Sequence, residues 1–233
     1  MNLPYLLAIT GASGAVYATR LLEVLTSAGH DVHLTISQSA RLVLKQELDV
    51  SVDLNDFHAS SFLLDADTGS LDQGLDTTRT LAGVSTEDSS VLPIGTRPPG
   101  SIVYHHFEDL MAGPASGSFL TAGMIICPCS GGTLSAVVHG ASGNLIQRAA
   151  QVHLKERRPL ILVPRETPLS LGQLDNMRRA CELGAVVLPA APGWYHGVHS
   201  LRDLVDFIVA RILDQLRVPH SLMRRWGSDS IDD

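Results

Sequence analysis

The stretch Tyr5-Leu-Leu-Ala-Ile-Thr10-Gly-Ala-Ser-Gly-Ala15 (YLLAITGASGA) decides the fold. Its first six residues form a short, continuous apolar run, which suits a strand covered on both faces inside a parallel sheet. A glycine turn follows at once. From Ser13 onward Ala15, Val16, Ala18, Leu21, Leu22, Val24 and Leu25 recur at helical spacing, with Ser13 the expected N-cap and Gly29 the expected C-cap. A strand, a phosphate-sized turn and a helix thus open the chain.

Residues 31–37 (DVHLTIS) predict a second strand and residues 40–48 a second helix. Further strands are expected at 124–129, 160–163 and 185–188, and helices at 134–139, 145–156, 174–183 and 201–216. This alternation predicts an α/β fold, a doubly wound parallel sheet of Rossmann-like (flavodoxin-like) three-layer architecture. Residues 51 to about 100, rich in Asp, Ser, Thr and Gly, break the rhythm and read as a long insertion: a lid, an oligomer contact or a partly disordered excursion. The expected organisation is one domain over residues 1–217 and a tail over 218–233. That tail carries Arg224-Arg225-Trp226 and then Asp229 to Asp233.

With 233 residues and 45% hydrophobic composition the chain can bury one substantial core. A formal charge of -7 leaves no surplus of cations for a phosphate backbone, which argues against nucleic acid. The N-terminus has no basic leader, and its apolar run stops far short of the roughly 18 residues that span a bilayer, so no membrane role is expected. Cys127, Cys129 and Cys181 form no CxxC pair, which fits a reducing compartment and a cytoplasmic location. The ten histidines show no metal-binding spacing, so no metal is expected.

Four segments can carry chemistry. Gly11-Ala-Ser-Gly-Ala15 sits at a strand end and a helix start, where backbone N–H groups favour an anion, a tight turn needed only for packing being an equal alternative from this loop alone. It lacks the full GxGxxG spacing, and Ser37 stands at the second strand's end where a dinucleotide site needs an acid, so a mononucleotide is the better guess. Cys127-Pro-Cys-Ser130-Gly131-Gly132-Thr133 is a second such loop, and the two together can flank a flat ligand. Its cysteines read as small buried apolar groups. Leu154-Lys155-Glu-Arg-Arg-Pro159 precedes a strand, after which Pro164-Arg165-Glu166-Thr-Pro168 places both charges beyond a strand's C-terminal end. The Lys-Glu-Arg-Arg cluster by itself reads as a solvated helix end. Pro192-Gly-Trp194-Tyr195-His196 brings adjacent aromatics that can cover a flat or cationic group, core packing being the alternative for Trp194. Arg211 falls on the apolar side of a helix and needs an anion there.

With these residues in view the chain resembles the flavin prenyltransferases, once described as aromatic acid decarboxylases. The resemblance rests on ITGASGA, the Ser37 strand end, Ser116-Gly-Ser-Phe119, the Cys-Ser loop, Asn144-Leu-Ile-Gln-Arg148-Ala-Ala and, most specifically, LKERRPLILVPRETPLS. It implies FMN against Gly11, Ala12, Ser13, Ser37, Ser130, Gly131, Gly132, Thr133 and Arg165. It implies dimethylallyl monophosphate as second substrate, its phosphate held by Lys155, Tyr195 and Arg211, with Arg148 and Glu166 nearby and Glu47, Ser116 and Trp194 lining the site. It further implies prenyl transfer to N5 and C6 of reduced FMN, with Glu166 moving protons, a homododecamer whose interfaces complete each site, and a UbiD-like decarboxylase as user of the prenylated FMN.

Departures from the family pattern lie mainly in the flavin-side loops. Ser130-Gly131-Gly132-Thr133 stands where the family reads SMKT, Gly143 where it has Asp, Thr121-Ala-Gly-Met124 where it has TDGM, and Pro192-Gly-Trp-Tyr195 where it has PAFY. Two alternatives compete: a flavin-dependent peptidyl-cysteine decarboxylase and a non-catalytic FMN-binding homologue.

Overall fold

The computed structural model describes residues 3–59, 98–195 and 198–223. Most of the 51–100 insertion, His196, Arg224-Arg225-Trp226 and Asp229 to Asp233 lie outside the described residues. The strands are β1 (Tyr5–Ile9), β2 (Val32–Ile36), β3 (Ile102–Tyr104), β4 (Gly123–Cys129), β5 (Leu160–Pro164) and β6 (Val186–Val187). They form one sheet in the order β3-β2-β1-β4-β5-β6, with every pairing parallel. The helices are α1 (Ala15–Ser27), α2 (Gln38–Leu48), α3 (Gly131–Val138), α4 (Leu145–Lys155), α5 (Leu171–Glu182) and α6 (Leu201–Leu216).

Strand alternation explains the three layers. Leu7, Ile9, Leu34, Ile36, Ile125, Cys127 and Ile161 point to one face and pack under α1, α2 and α6 through Leu21, Leu25, Leu44, Ile208 and Ile212. Leu6, Ala8, Met124, Ile126 and Leu162 point to the other and pack under α3, α4 and α5 through Leu134, Ile146, Ala149 and Ala180. Both faces of β1 and β4 are therefore apolar, which is why each reads as an unbroken hydrophobic run. α1 and α6 are further joined by Arg20, whose guanidinium grips Asp206 through Nε at 2.7 Å and Nη2 at 3.3 Å.

Three local expectations are corrected. The N-cap of α1 is Gly14, at φ 107, and Ser13 makes no cap hydrogen bond. β3 was not foreseen, because three residues at a sheet edge carry too little pattern. α3 and α5 begin three residues earlier than their apolar spacing suggests, since Ser130 and Ser170 accept from the backbone N–H of Thr133 and Gln173 and so start each helix.

Candidate functional site

The strand order reverses between β1 and β4, so the crevice at their C-terminal ends is the topological switch point where open α/β sheets bind ligands. Both small-residue loops flagged from sequence rise there side by side. Thr10, which the sequence did not single out, joins them: its hydroxyl donates to the Pro128 carbonyl at 2.8 Å and accepts from the Ser130 N–H at 2.8 Å. Ser130 in turn donates to the Thr133 hydroxyl at 3.0 Å. Gly132 has open space where a Cβ would stand. Cys127 and Cys129 behind this loop are buried, and burial pushes both thiols up, Cys129 to about 12, so they are packing groups.

The first loop differs from its simplest reading. The anion at the start of α1 is the chain's own Glu47, whose carboxylate accepts from the Gly14 N–H at 2.9 and 3.2 Å and from the Ala15 N–H at 2.9 Å. Those donors are taken. Gly11 lies against α2, where an added Cβ would stand 2.4 Å from the Ser39 Oγ, so only glycine permits this approach. Ser37 caps α2 by accepting from the Ala40 N–H at 3.1 Å, and its hydroxyl lies 3.2 Å from that of Ser39. Ser37, Ser39, Gly11, Ala12 and Ser13 thus share one wall. Tyr17, half-buried below Gly14, has its phenol pushed up by burial and then by Cys127 and Glu47, against the lowering by Arg165.

Arg165 and Glu166 follow β5 at the crevice rim. The Arg165 Nε donates to the Ser13 carbonyl at 3.4 Å, closing the wall between the β1 and β5 loops. The Glu166 carboxylate accepts from the Thr167 N–H and from the Gln173 amide, both at 3.2 Å. Gln173 also faces Gly131, and sequence reasoning missed it.

The remaining expected residues are not together within one chain. Arg148 and Lys155 lie on α4. Arg148 donates to the Ala115 carbonyl at 3.0 Å, beside Ser116, and the exposed Lys155 pairs with Glu156. A Cβ on Gly117 would meet that pair, so Ser116, Arg148 and Lys155 share one surface. Arg211 lies on α6, across the sheet from α4, and its Nη1 donates to the Asp214 carboxylate at 2.8 Å, one contact of a half-exposed guanidinium that has five donors. The expected convergence of three cations is therefore not met inside a single chain. Tyr195 contacts Phe207 edge-on at 5.8 Å, one helical turn before Arg211. Trp194 is 71% exposed, which removes core packing as its role. Among the described residues no cluster of three or more His, Cys, Asp or Glu could hold a metal, and no helix is long and apolar enough to cross a membrane.

Residues 1–213 match the family model described as Flavoprotein. The chain is 45% identical over 225 residues to the flavin prenyltransferase UbiX of Pseudomonas aeruginosa, covering 97% of this chain and 94% of that one. It is 40% identical over 221 residues to UbiX of Escherichia coli K12, covering 94% and 95%. Among solved structures, an UbiX in complex with FMN and dimethylallyl pyrophosphate superposes with a TM-score of 0.73 at 30% identity, over 99% of this chain and all of that one. A dodecameric FMN-dependent UbiX-like decarboxylase from Escherichia coli O157:H7 gives 0.71 at 29% identity, over 97% and 100%. A cysteine decarboxylase shares the fold alone, at 15% identity and a TM-score of 0.52.

Proposed function

The chain belongs to the flavoprotein family, among the UbiX flavin prenyltransferases, and from that membership we propose that it transfers a dimethylallyl group from dimethylallyl monophosphate to reduced FMN. The product, prenylated FMN, serves a UbiD-type decarboxylase. The observation that carries this reading for the chain itself is the crevice between the β1 and β4 loops, with Arg165 and Glu166 at its rim.

The residues present fit a flavin mononucleotide. The open space at Gly132 leaves room for a ligand beside the Ser130–Thr133 loop, and the close approach of Gly11 to Ser39 holds the first loop against α2. Because Glu47 occupies the start of α1, we assign the FMN phosphate to the Ser37 and Ser39 side, at the N-terminus of α2. Gly11, Ala12, Ser13, Gly131, Thr133 and Arg165 complete the cradle. Reduced FMN, when bound, supplies the nucleophilic N5 and C6 positions that accept the allyl carbons.

The chain's own residues handle the leaving group. Arg148, Lys155 and Arg211 bind the prenyl phosphate and neutralise the charge that grows on it, with Tyr195 donating a hydrogen bond and Ser116 lining the pocket. The faces of Trp194 and Tyr195 shelter developing allylic cation character. Glu166 would carry a proton to the allyl double bond and take back the one that the ring carbon loses, so that the carboxyl group ends as it began. α4 and α6 lie on opposite faces of the sheet, so these cations meet only when copies of the chain combine. We propose a homododecamer, the assembly named for the Escherichia coli O157:H7 relative, as the form in which they meet.

Anaerobic incubation with reduced FMN and dimethylallyl monophosphate tests the reading: the flavin gains one C5H8 unit by mass. Glu166→Gln and Arg211→Ala retain FMN binding and lose conversion. Tightly bound but unchanged FMN with the wild-type protein refutes the assignment, and normal turnover in either variant refutes the roles given to those side chains.

A further inference from the structure

We infer that Gln173 is the positioning residue for Glu166, fixing the carboxylate at the crevice rim through its amide. The inference rests on the reading of Glu166 as proton carrier. Gln173 is at the third position of α5, in a reciprocal cap: the Ser170 N–H donates to its Oε1 at 2.8 Å, and its own N–H donates to the Ser170 Oγ at 3.3 Å. An amide whose oxygen accepts a backbone N–H has its orientation settled, because only the other end can donate. That end, Nε2, donates to the Glu166 Oε2 at 3.2 Å.

The other carboxylate oxygen accepts from the Thr167 N–H, one residue along the same loop. A bond to a sequence neighbour moves with the loop and does not tie the side chain to the scaffold. The Gln173 bond does, because it comes from the first turn of a helix packed on the sheet. The same Nε2 would stand 3.2 Å from a Cβ added at Gly131, so the amide rests against the loop that lines the crevice. One side chain therefore links a helix start, the Glu166 carboxylate and the β4 loop.

Two variants separate positioning from capping. Gln173→Glu keeps an acceptor for the Ser170 N–H, and so keeps α5, but presents an acceptor to Glu166 where a donor stood. Gln173→Met removes the donor without adding charge, leaving the Ser170 half of the cap. Both are expected to lower kcat by about tenfold to a hundredfold, the scale of a displaced catalytic group. The FMN dissociation constant and the apoprotein unfolding midpoint of Gln173→Glu stay at wild-type values. Crystals of unliganded Gln173→Glu show the Glu166 carboxylate turned away with the Ser170 cap intact. Wild-type kcat in either variant, a rise in KM alone, or an unmoved Glu166 overturns the inference. Glu166→Gln separates the two levels: if it turns over normally the proton-carrier reading and this inference both fall. If it is inactive while both Gln173 variants are normal, this inference alone falls.

Discussion

Acidification probes how α4, the helix carrying Arg148 and Lys155, is anchored. His153 on that helix is 1% exposed, its Nδ1 donates to the Ala149 carbonyl at 2.7 Å, and its Nε2 accepts from the Thr121 hydroxyl at 2.8 Å. This is the neutral imidazole. Burial pushes its pKa from 6.5 down to about 4, the Ala149 carbonyl pulling upward and the Arg158 charge downward. The folded pKa is depressed, so the unfolded chain takes up the proton first. The stability held above about pH 6.5 is lost as the pH falls toward about 4. A shift of about 2.5 units at 1.36 kcal/mol each gives a loss of about 3 kcal/mol. Urea unfolding of the apoprotein at fixed protein concentration, at about pH 7.5 and about pH 4.5, measures it. His33 and His105, in contact at 2.6 Å, are also pushed down, mainly by burial, and contribute to the wild-type curve. The informative quantity is the difference between wild type and His153→Gln, which cannot charge. Because pH 4.5 still lies above the folded pKa, the variant is expected to lose about 2.5 kcal/mol less between the two conditions. Equal losses in both proteins refute the argument.

Variants at two further positions test the scaffold by the same unfolding assay. Glu47→Ala leaves the Gly14 and Ala15 N–H groups at the start of α1 without their carboxylate, for an expected loss of about 2 kcal/mol, with Glu47→Gln losing less; a change below about 0.5 kcal/mol sinks this account. Asp206→Ala removes the Arg20 partner on α6, at side chains only 11% and 10% exposed, and leaves that guanidinium the half-exposed Glu23, for an expected loss of about 2 kcal/mol; near wild-type stability shows that water and Glu23 replace the pair.

Where the fold was legible, one physical signal was local. β1 and β4 announced themselves because both their faces are covered, and Gly11 because the chain must turn and approach Ser39. The buried cysteines followed from their ordinary packing preference. What escaped was set by partners distant in sequence. Glu47 reaches Gly14 across 33 residues, and Thr10 reaches Ser130 across 120, so neither pattern shows its role. Gln173 escaped for the opposite reason: its local cap accounts fully for its presence, and its second contact appears only when the β5 loop is in place. For Arg211 helical periodicity suggested an apolar face, and Asp214 three residues on provides the partner. The separation of Arg211 from Arg148 and Lys155 by the whole sheet could be seen only once the layers were built.

The carboxylate of Glu47 at the head of α1 also bears on which nucleotides this chain rejects. In doubly wound folds that bind dinucleotides, the pyrophosphate rests on the first helix's N-terminal N–H groups. Here those groups are pre-empted by a permanent resident with the same charge as the visitor. A nicotinamide dinucleotide or a nucleoside triphosphate arriving at the first loop meets an occupied cradle and a like charge. Discrimination among the abundant nucleotides of a cell is thus built in by exclusion at β1, before any contact selects the flavin.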